Sequence, residues 1–555
     1  MIHRRRAELA IIDAEISRVE DNIVLLVRQR AHLKRRRNTL SPAVSLPPEV
    51  LSRIFEFASS PKSDLGGLGQ IGHCIPGTTN LGISTGLGAV TPLFLSTVCA
   101  AWRKIAFASS QLWNSVTIHL DERHAAHQAA LLEDWLKRSR RRPLWINVQE
   151  GGVTEDGEDG EDSWGVESTS TCVIDVLVLY SSQWQSVDIF LPSSWKPSLS
   201  RIRHTLSNLY SLTLRVAEGS PSLSRVDAFA LAPRLRDVTL VGYSFSDITL
   251  PWSQLERIEG EYMNVAESLE MLRLCPSLLR YQFTQQCKGV LPFASNAIIH
   301  ERLEYFELIL DSEIELRALL GALTLPNLKE LVLSLSEEQP ILPHVVSLLR
   351  RSGCATSLRR LHLVGLMPEE EHLIDCLWQL PSLEALLLIN PVMTGGKLTE
   401  RFMGLMTPHW AGREAQEMDS DSGGTESSGM EIEGDPPRNR LFLPCLTRFE
   451  YRGSVTFSNR SLVNMLESRW QHFGSGRILE DADEYPTPPP TSRASIFTRA
   501  SWIPRFEERV PETLARLSSV IFTTERLFRF IETDEMIVQH LIQDGLHLEF
   551  IRDMS

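Results

Sequence analysis

No two of the eight cysteines stand as a C-x-x-C pair; Cys74, Cys99, Cys172, Cys275, Cys287, Cys354, Cys376 and Cys445 are scattered. That spacing supplies neither a thiolate zinc site nor a redox dithiol. Most of them fall in apolar helical or strand patterns, so they are expected as reduced core thiols of a cytoplasmic or nuclear protein. A long uninterrupted apolar run is also missing. The opening MIHRRRAELA enters an amphipathic pattern, and no secretory signal is expected. The longest stretch free of Asp, Glu, Lys and Arg, from Leu65 to Trp102, is broken repeatedly by glycine and proline between Gly66 and Pro92. It reads as a loop followed by a helix, with no membrane span. Positive charge is in deficit, with 56 Lys and Arg against 70 Asp and Glu for a net charge of -14. An acidic surface of this kind excludes nucleic acid or an anionic membrane as the partner of the whole molecule.

Catalytic constellations are absent too. Gly67, Gly69 and Gly72 in GLGQIG spell G-x-G-x-x-G, but no strand pattern precedes them and Pro76-Gly77 stands where a helix should begin. His124 and His127 in HAAH have no third metal ligand placed by spacing, and they read as solvent-facing. The sequon at Asn459 has no meaning without a secretory route. The acidic clusters are too rich in glycine and serine to hold two carboxylates at a defined separation. Hence no catalytic residue, cofactor or metal is expected, and the chain reads as a protein without its own active site.

What is present points to several domains or a repeat, because 555 residues exceed what one core supports. Leu9, Ile12, Ile16, Val19, Ile23 and Leu26 alternate by three and four, the a/d seam of a coiled coil or of a helix docked on a neighbour. The seam runs for about three heptads before Arg30 and Arg37 enter the a positions, which favours docking over an isolated dimer while leaving self-association through residues 9–26 open. KRRR at 34–37 and KRSRRR at 137–142 read either as localisation or anion patches or as solvated basic faces at helix C-termini. Acidic, Gly- and Ser-rich stretches at 150–168 and 412–440 are expected to be disordered. EYPTPPPTS at 484–492 is a proline spacer.

A repeat occupies most of the remainder. SNLYSLTL, PRLRDVTL, PSLLRYQF, ERLEYFEL, PNLKELVL, TSLRRLHL, PSLEALLL and PCLTRFEY each carry a leading apolar residue and others three and five positions on. The leading residues are Leu209, Leu235, Leu278, Leu303, Leu328, Leu358, Leu383 and Leu446, with a weaker member at Leu255. Up to Leu383 their spacings are 26, 20, 23, 25, 25, 30 and 25 residues, within or near the period of leucine-rich repeats. Helical patterns at 264–275, 344–353 and 369–380 lie between them, and WNSVTIHL, PLWINV and WQSVDIFL extend the strand candidates back to about residue 113. The expected fold class is therefore α/β, with N-terminal helices followed by an irregular leucine-rich-repeat solenoid whose parallel sheet lines the concave side. The expected domains are a helix at 1–40, a helical domain at 41–118, the repeat region at 119–480, and a linker with C-terminal cap at 481–555.

The helical domain is built around SLPPEVLSRIFEFASS. Leu51, Ile54, Phe55 and Ala58 form one stripe, Val50 and Phe57 flank it on the other side, and only Ser52, Arg53 and Glu56 supply a polar strip. Such a helix needs cover on two sides. A second segment opens with Thr91-Pro92, a cap and a first-turn proline, and presents Leu95, Val98, Cys99, Trp102, Ile105 and Ala106 at the spacing of one helix. At these residues the chain resembles the F-box family: LPPEVLSRIFEFA at 46–58 is similar to its opening and STVCAAWRKIAFASSQLWNSVTI at 96–118 to its closing. The following irregular leucine-rich units resemble the large fungal, mushroom-type members, and the departure is a glycine-rich insertion at 61–90. The resemblance implies a substrate receptor of an SCF-type cullin-RING ubiquitin ligase. It would place Leu46, Pro47, Pro48, Ile54, Phe55, Val98 and Trp102 at, or directly behind, an interface with the Skp-type adaptor and through it cullin, while the repeats hold a protein substrate. The alternative is a non-ligase scaffold that uses the same repeats and the N-terminal helix for assembly.

Overall fold

A computed structural model describes residues 2–40, 42, 46–59, 83–84, 91–150, 170–216, 225–284, 297–335, 342–365, 369–390, 397–408, 441–471, 514–525 and 528–552. The acidic stretches at 151–168 and 412–440, the GLGQIG motif, the proline spacer and nearly all of the 61–90 insertion lie outside these residues. Two compact units divide the chain, Met1–Leu255 and Glu256–Ser555. The protein is α/β, with a large parallel sheet.

The first unit opens with α1 (Ile2–Thr39), followed by α2 (Pro48–Ser59). Pro48 fits the first helical turn, where its missing N–H would have had no partner, and the Pro47 carbonyl accepts from the N–H groups of Val50 and Leu51. The expected single helix around residues 92–108 is instead two, α3 (Pro92–Val98) and α4 (Ala100–Ala108). Cys99 between them is extended, with φ -159° and ψ 169°, and its Sγ accepts the Trp102 N–H at 3.4 Å. A side chain able to cap the next helix thus breaks a periodicity that runs on unbroken in the sequence. Thr91 caps α3 as its place before proline suggests, accepting the Phe94 N–H at 3.1 Å.

Trp113 joins these helices to the sheet. It is fully buried, its Nε1 donates to the Ala106 carbonyl at 2.8 Å, and its ring meets Trp135 of α5 (Ala125–Ser139) edge-on at 4.9 Å. Strands Ser115–Leu120, Leu144–Glu150, Trp184–Leu191, Ser211–Val216 and Asp237–Val241 then pair in parallel in chain order. Within the 61–90 insertion, Ile83–Ser84 adds an antiparallel pair to Ile118 and Thr117.

In the second unit, strands Arg257–Glu261, Arg280–Thr284, Tyr305–Leu310, Glu330–Leu335, Arg360–Val364, Ala385–Ile389, Arg448–Arg452, Ser519–Thr524 and His547–Arg552 pair in parallel in the same sequential fashion. The last two extend the sheet beyond residue 480, into the part of the sequence expected to form a linker and cap. The expected helices also form, at Val265–Leu274, Leu342–Ser352 and Glu370–Leu377. A capping box between Asn264 and Glu267 opens the first of them.

All nine leading leucines are fully buried. Each is worth roughly 1.5–3 kcal/mol relative to an exposed side chain. The residue that follows a leading leucine has a recurring role in the backbone. The carbonyls of Tyr210, Glu256, Leu279, Glu304, Lys329, Arg359, Glu384 and Thr447 each accept two consecutive N–H groups from the start of the next strand. The repeated leucine therefore fixes a turn as well as filling the core. Along the strands burial alternates, as in Tyr305–Leu310, so one sheet face is packed and the other is only partly covered.

Candidate docking surfaces

On α2, Leu51, Phe55 and Ser59 are buried at intervals of four. Phe55 packs on Trp102 of α4 with ring centroids 4.8 Å apart, and Ser52 is fastened by Ser109 Oγ and by Gln111 Nε2, both at 2.8 Å. Arg103 Nε donates to the Ser96 carbonyl at 2.9 Å and ties α3 to α4. Ile54 and Ala58, expected in the same stripe as Leu51 and Phe55, are exposed. The buried set follows one narrow line along the helix, and Ile54 falls a quarter turn away from it.

Leu46, Pro47, Pro48, Val50, Ile54 and Phe57 are all exposed, Phe57 to 73%. Val98 and Phe94 of α3 are exposed as well. Of the seven residues singled out in the sequence, Phe55 lies in the interior and Trp102 is half-buried against it, while Leu46, Pro47, Pro48, Ile54 and Val98 reach solvent. Phe94 and Phe57 join that open side without having been expected in the docking set. The signal for Phe94 was the Thr91 cap, which sets the phase of a seven-residue helix.

The basic run at 137–142 is partly engaged within the chain. Lys137 pairs with Glu133 at 2.8 Å, Arg142 Nε donates to Ser110 Oγ at 2.8 Å, and the Arg138 guanidinium lies over the Phe107 and Trp113 rings at 4.8 and 5.0 Å.

A second surface is the partly covered face of the sheet in the second unit. Glu307, Val332, His362, Leu387, Glu450 and Ile521 stand in register on successive strands. Beside them Arg280 lies over the Tyr305 ring at 4.1 Å, the Tyr305 hydroxyl donates to Glu307, Arg360 pairs with Glu330 at 3.2 Å, and Arg448 pairs with Glu450 at 3.1 Å. Burial pushes the Glu307 carboxyl up and the His362 imidazole down from their ordinary ranges. Charged pairs thus alternate with aliphatic side chains across the face.

Among the described residues no group of three or more His, Cys, Asp and Glu could hold a metal ion. His124 Nδ1 lies 2.7 Å from Asp121, whose carboxyl that bond lowers, and His127 is exposed. Among the described residues no helix is long and apolar enough to cross a membrane. No protein-family model matches this chain, and no curated protein matches it.

Proposed function

We propose that this protein is the substrate-recognition subunit of an SCF-type cullin-RING ubiquitin ligase. In this reading α2, α3 and α4 form an F-box that binds the Skp-type adaptor and through it cullin, and the leucine-rich repeats form a solenoid whose open sheet face captures a protein substrate. The chain carries no catalytic site, cofactor or metal of its own, acts in the cytoplasm or nucleus, and binds neither nucleic acid nor membrane. The observation that carries the reading is the division of α2 into two apolar sides: Leu51 and Phe55 are buried toward α4, whereas Val50, Ile54 and Phe57, with Leu46 just before the helix, remain open. Leaving four large apolar side chains exposed on twelve or so residues is costly unless a partner covers them. Burying them would be worth about 1.5–3 kcal/mol each.

The test is retention of a purified Skp-type adaptor by the full chain. Ile54→Asp and Val98→Asp lie on the open side and should abolish retention with an unchanged melting temperature. Failure of the unaltered chain to retain the adaptor, or equal retention by both variants, would overturn the reading. A non-ligase scaffold is the second reading, favoured by the exposed seam of α1; a chain that assembles normally yet never retains the adaptor would support it.

A further inference from the structure

The seam of α1 carries an inference that goes beyond ubiquitin-ligase function. Leu9, Ile12, Ile16, Val19, Ile23, Leu26, Leu33 and Leu40 are each more than half exposed. Nothing among the described residues covers them. A 38-residue helix is about 57 Å long, and one that leaves its whole apolar stripe in water gains little from tertiary packing.

We propose that a second copy of this chain covers α1 in antiparallel orientation, with the dyad between Val24 and Leu25. The charges on the two edges of the seam decide the orientation. Asp13, Glu15 and Glu20 occupy the flanking e and g positions of the first half, and Lys34 and Arg36 those of the second. A parallel, in-register pair would place Glu15 beside Glu20 of the other copy and stack Arg30 on Arg30 and Arg37 on Arg37 within the seam. Like charges so placed repel, and the arginines would be partly desolvated.

Reversing one helix removes every one of these conflicts. Asp13 then faces Lys34 and Glu15 faces Arg36, while Leu9 meets Leu40, Ile16 meets Leu33, and Ile23 meets Leu26. Arg30 lies against Val19 beside the acid at Glu20, and Arg37 against Ile12 beside Asp13. The aliphatic stems of the arginines can cover the apolar neighbour while the guanidinium reaches the carboxylate. Shifted one heptad one way, the antiparallel pair sets Glu20 against Glu20 and Glu15 against Gln29; shifted the other way it faces Glu20 with Lys34 but leaves Leu9 and Ile12 without seam partners and Asp13 and Glu15 without basic ones. The two arginines that interrupt the seam are thus incompatible with one orientation and accommodated by the other.

The experiment uses the full chain. Light scattering and sedimentation velocity should give a dimer, and a monomer up to tens of micromolar would overturn the proposal. For orientation, Ile16→Cys protein is mixed with Leu33→Cys protein in a glutathione redox buffer and the linked peptides are identified by mass spectrometry. A 16–33 cross-link in excess of 16–16 and 33–33 is expected; dominance of 16–16 would establish a parallel pair and sink the idea. Lys34→Asp should raise the dimer dissociation constant roughly tenfold, and adding Asp13→Lys in the same chain should restore it. Loss without rescue would overturn the assigned register. Adaptor retention is read on the same samples, so failure of the dimer and failure of the ligase reading are separable.

Discussion

Phe55 on α2 and Trp102 on α4 meet with their ring centroids 4.8 Å apart and their planes inclined by 59°. That contact fixes which side of α2 faces inward and, by exclusion, which side is free to bind. It separates two kinds of residue that the sequence presents together. Phe55→Ala should destabilise the first unit by about 3–5 kcal/mol through the cavity left beside Trp102. Ile54→Ala, one residue away but exposed, should stay within about 0.5 kcal/mol of the unaltered chain. Denaturant titration followed by tryptophan fluorescence reads both, and equal losses would contradict the assigned orientation of α2.

Gly365 ends the strand Arg360–Val364 at φ 77°, and a Cβ there would lie 2.0 Å from the Leu335 carbonyl oxygen. Gly353 also has positive φ, at 62°, but open space around it. Gly353→Ala should therefore cost about 1 kcal/mol for the left-handed backbone alone. Gly365→Ala must in addition displace a neighbouring strand and should cost clearly more, seen as a lower denaturation midpoint of the second unit.

Arg469 is fully buried, and its guanidinium donates to the carbonyls of Met406 at 2.8 Å, Phe442 at 2.8 Å and Leu443 at 3.1 Å. It joins backbone from both flanks of the acidic segment. Burial lowers its pKa to about 10, a cost offset by three carbonyl acceptors. Arg469→Ala removes the guanidinium from the Met406 and Phe442 carbonyls, while Leu443 keeps the Leu446 N–H, and a loss of about 3 kcal/mol is expected. Lysine, with one compact ammonium, should rescue only part of it.

Burial pushes the thiols of Cys275 and Cys376 up to about 12 and that of Cys354 to about 11, whereas Cys172 is exposed. Because the thiolate is the reactive species, iodoacetamide at pH 8 should label Cys172 in the native protein and leave the other three until denaturant is added. Peptide mass spectrometry of the two samples checks this.

His362 should titrate below its ordinary value of 6.5, because burial opposes its charged form and Arg448 and Arg360 add to that opposition against Glu330 and Glu450. As pH falls through that range the unfolded chain takes up the proton first, so stability is lost on the acid side and is fully present above it. His362→Gln should flatten this part of the pH–stability curve; an unchanged curve would show that the imidazole contributes nothing.

The repeat was legible because each leading leucine is fully buried in the core, and in eight of the nine units the carbonyl of its successor takes two N–H groups from the start of the next strand. That arrangement recurs every 20 to 30 residues up to Leu383, and a recurring arrangement leaves a recurring letter. The strand pair Ser519–Thr524 and His547–Arg552 was harder to see, since ARLSSVIF lies beyond an acidic segment and a proline spacer that obscure its spacing. The break at Cys99 was invisible for a different reason. Helical periodicity continues across it, and only the cap geometry interrupts the backbone.

By itself, then, the sequence determined the α/β class, the repeat spacing, the paired-helix motif and the apolar seam of α1, because each depends on periods of two, three and four residues within one element. Tertiary structure alone decided which face of each element is covered. Ile54 and Phe55 are adjacent, equally apolar and indistinguishable by pattern, yet one reaches solvent and the other lies against Trp102. That choice belongs to the packing partner, whose position no local period encodes.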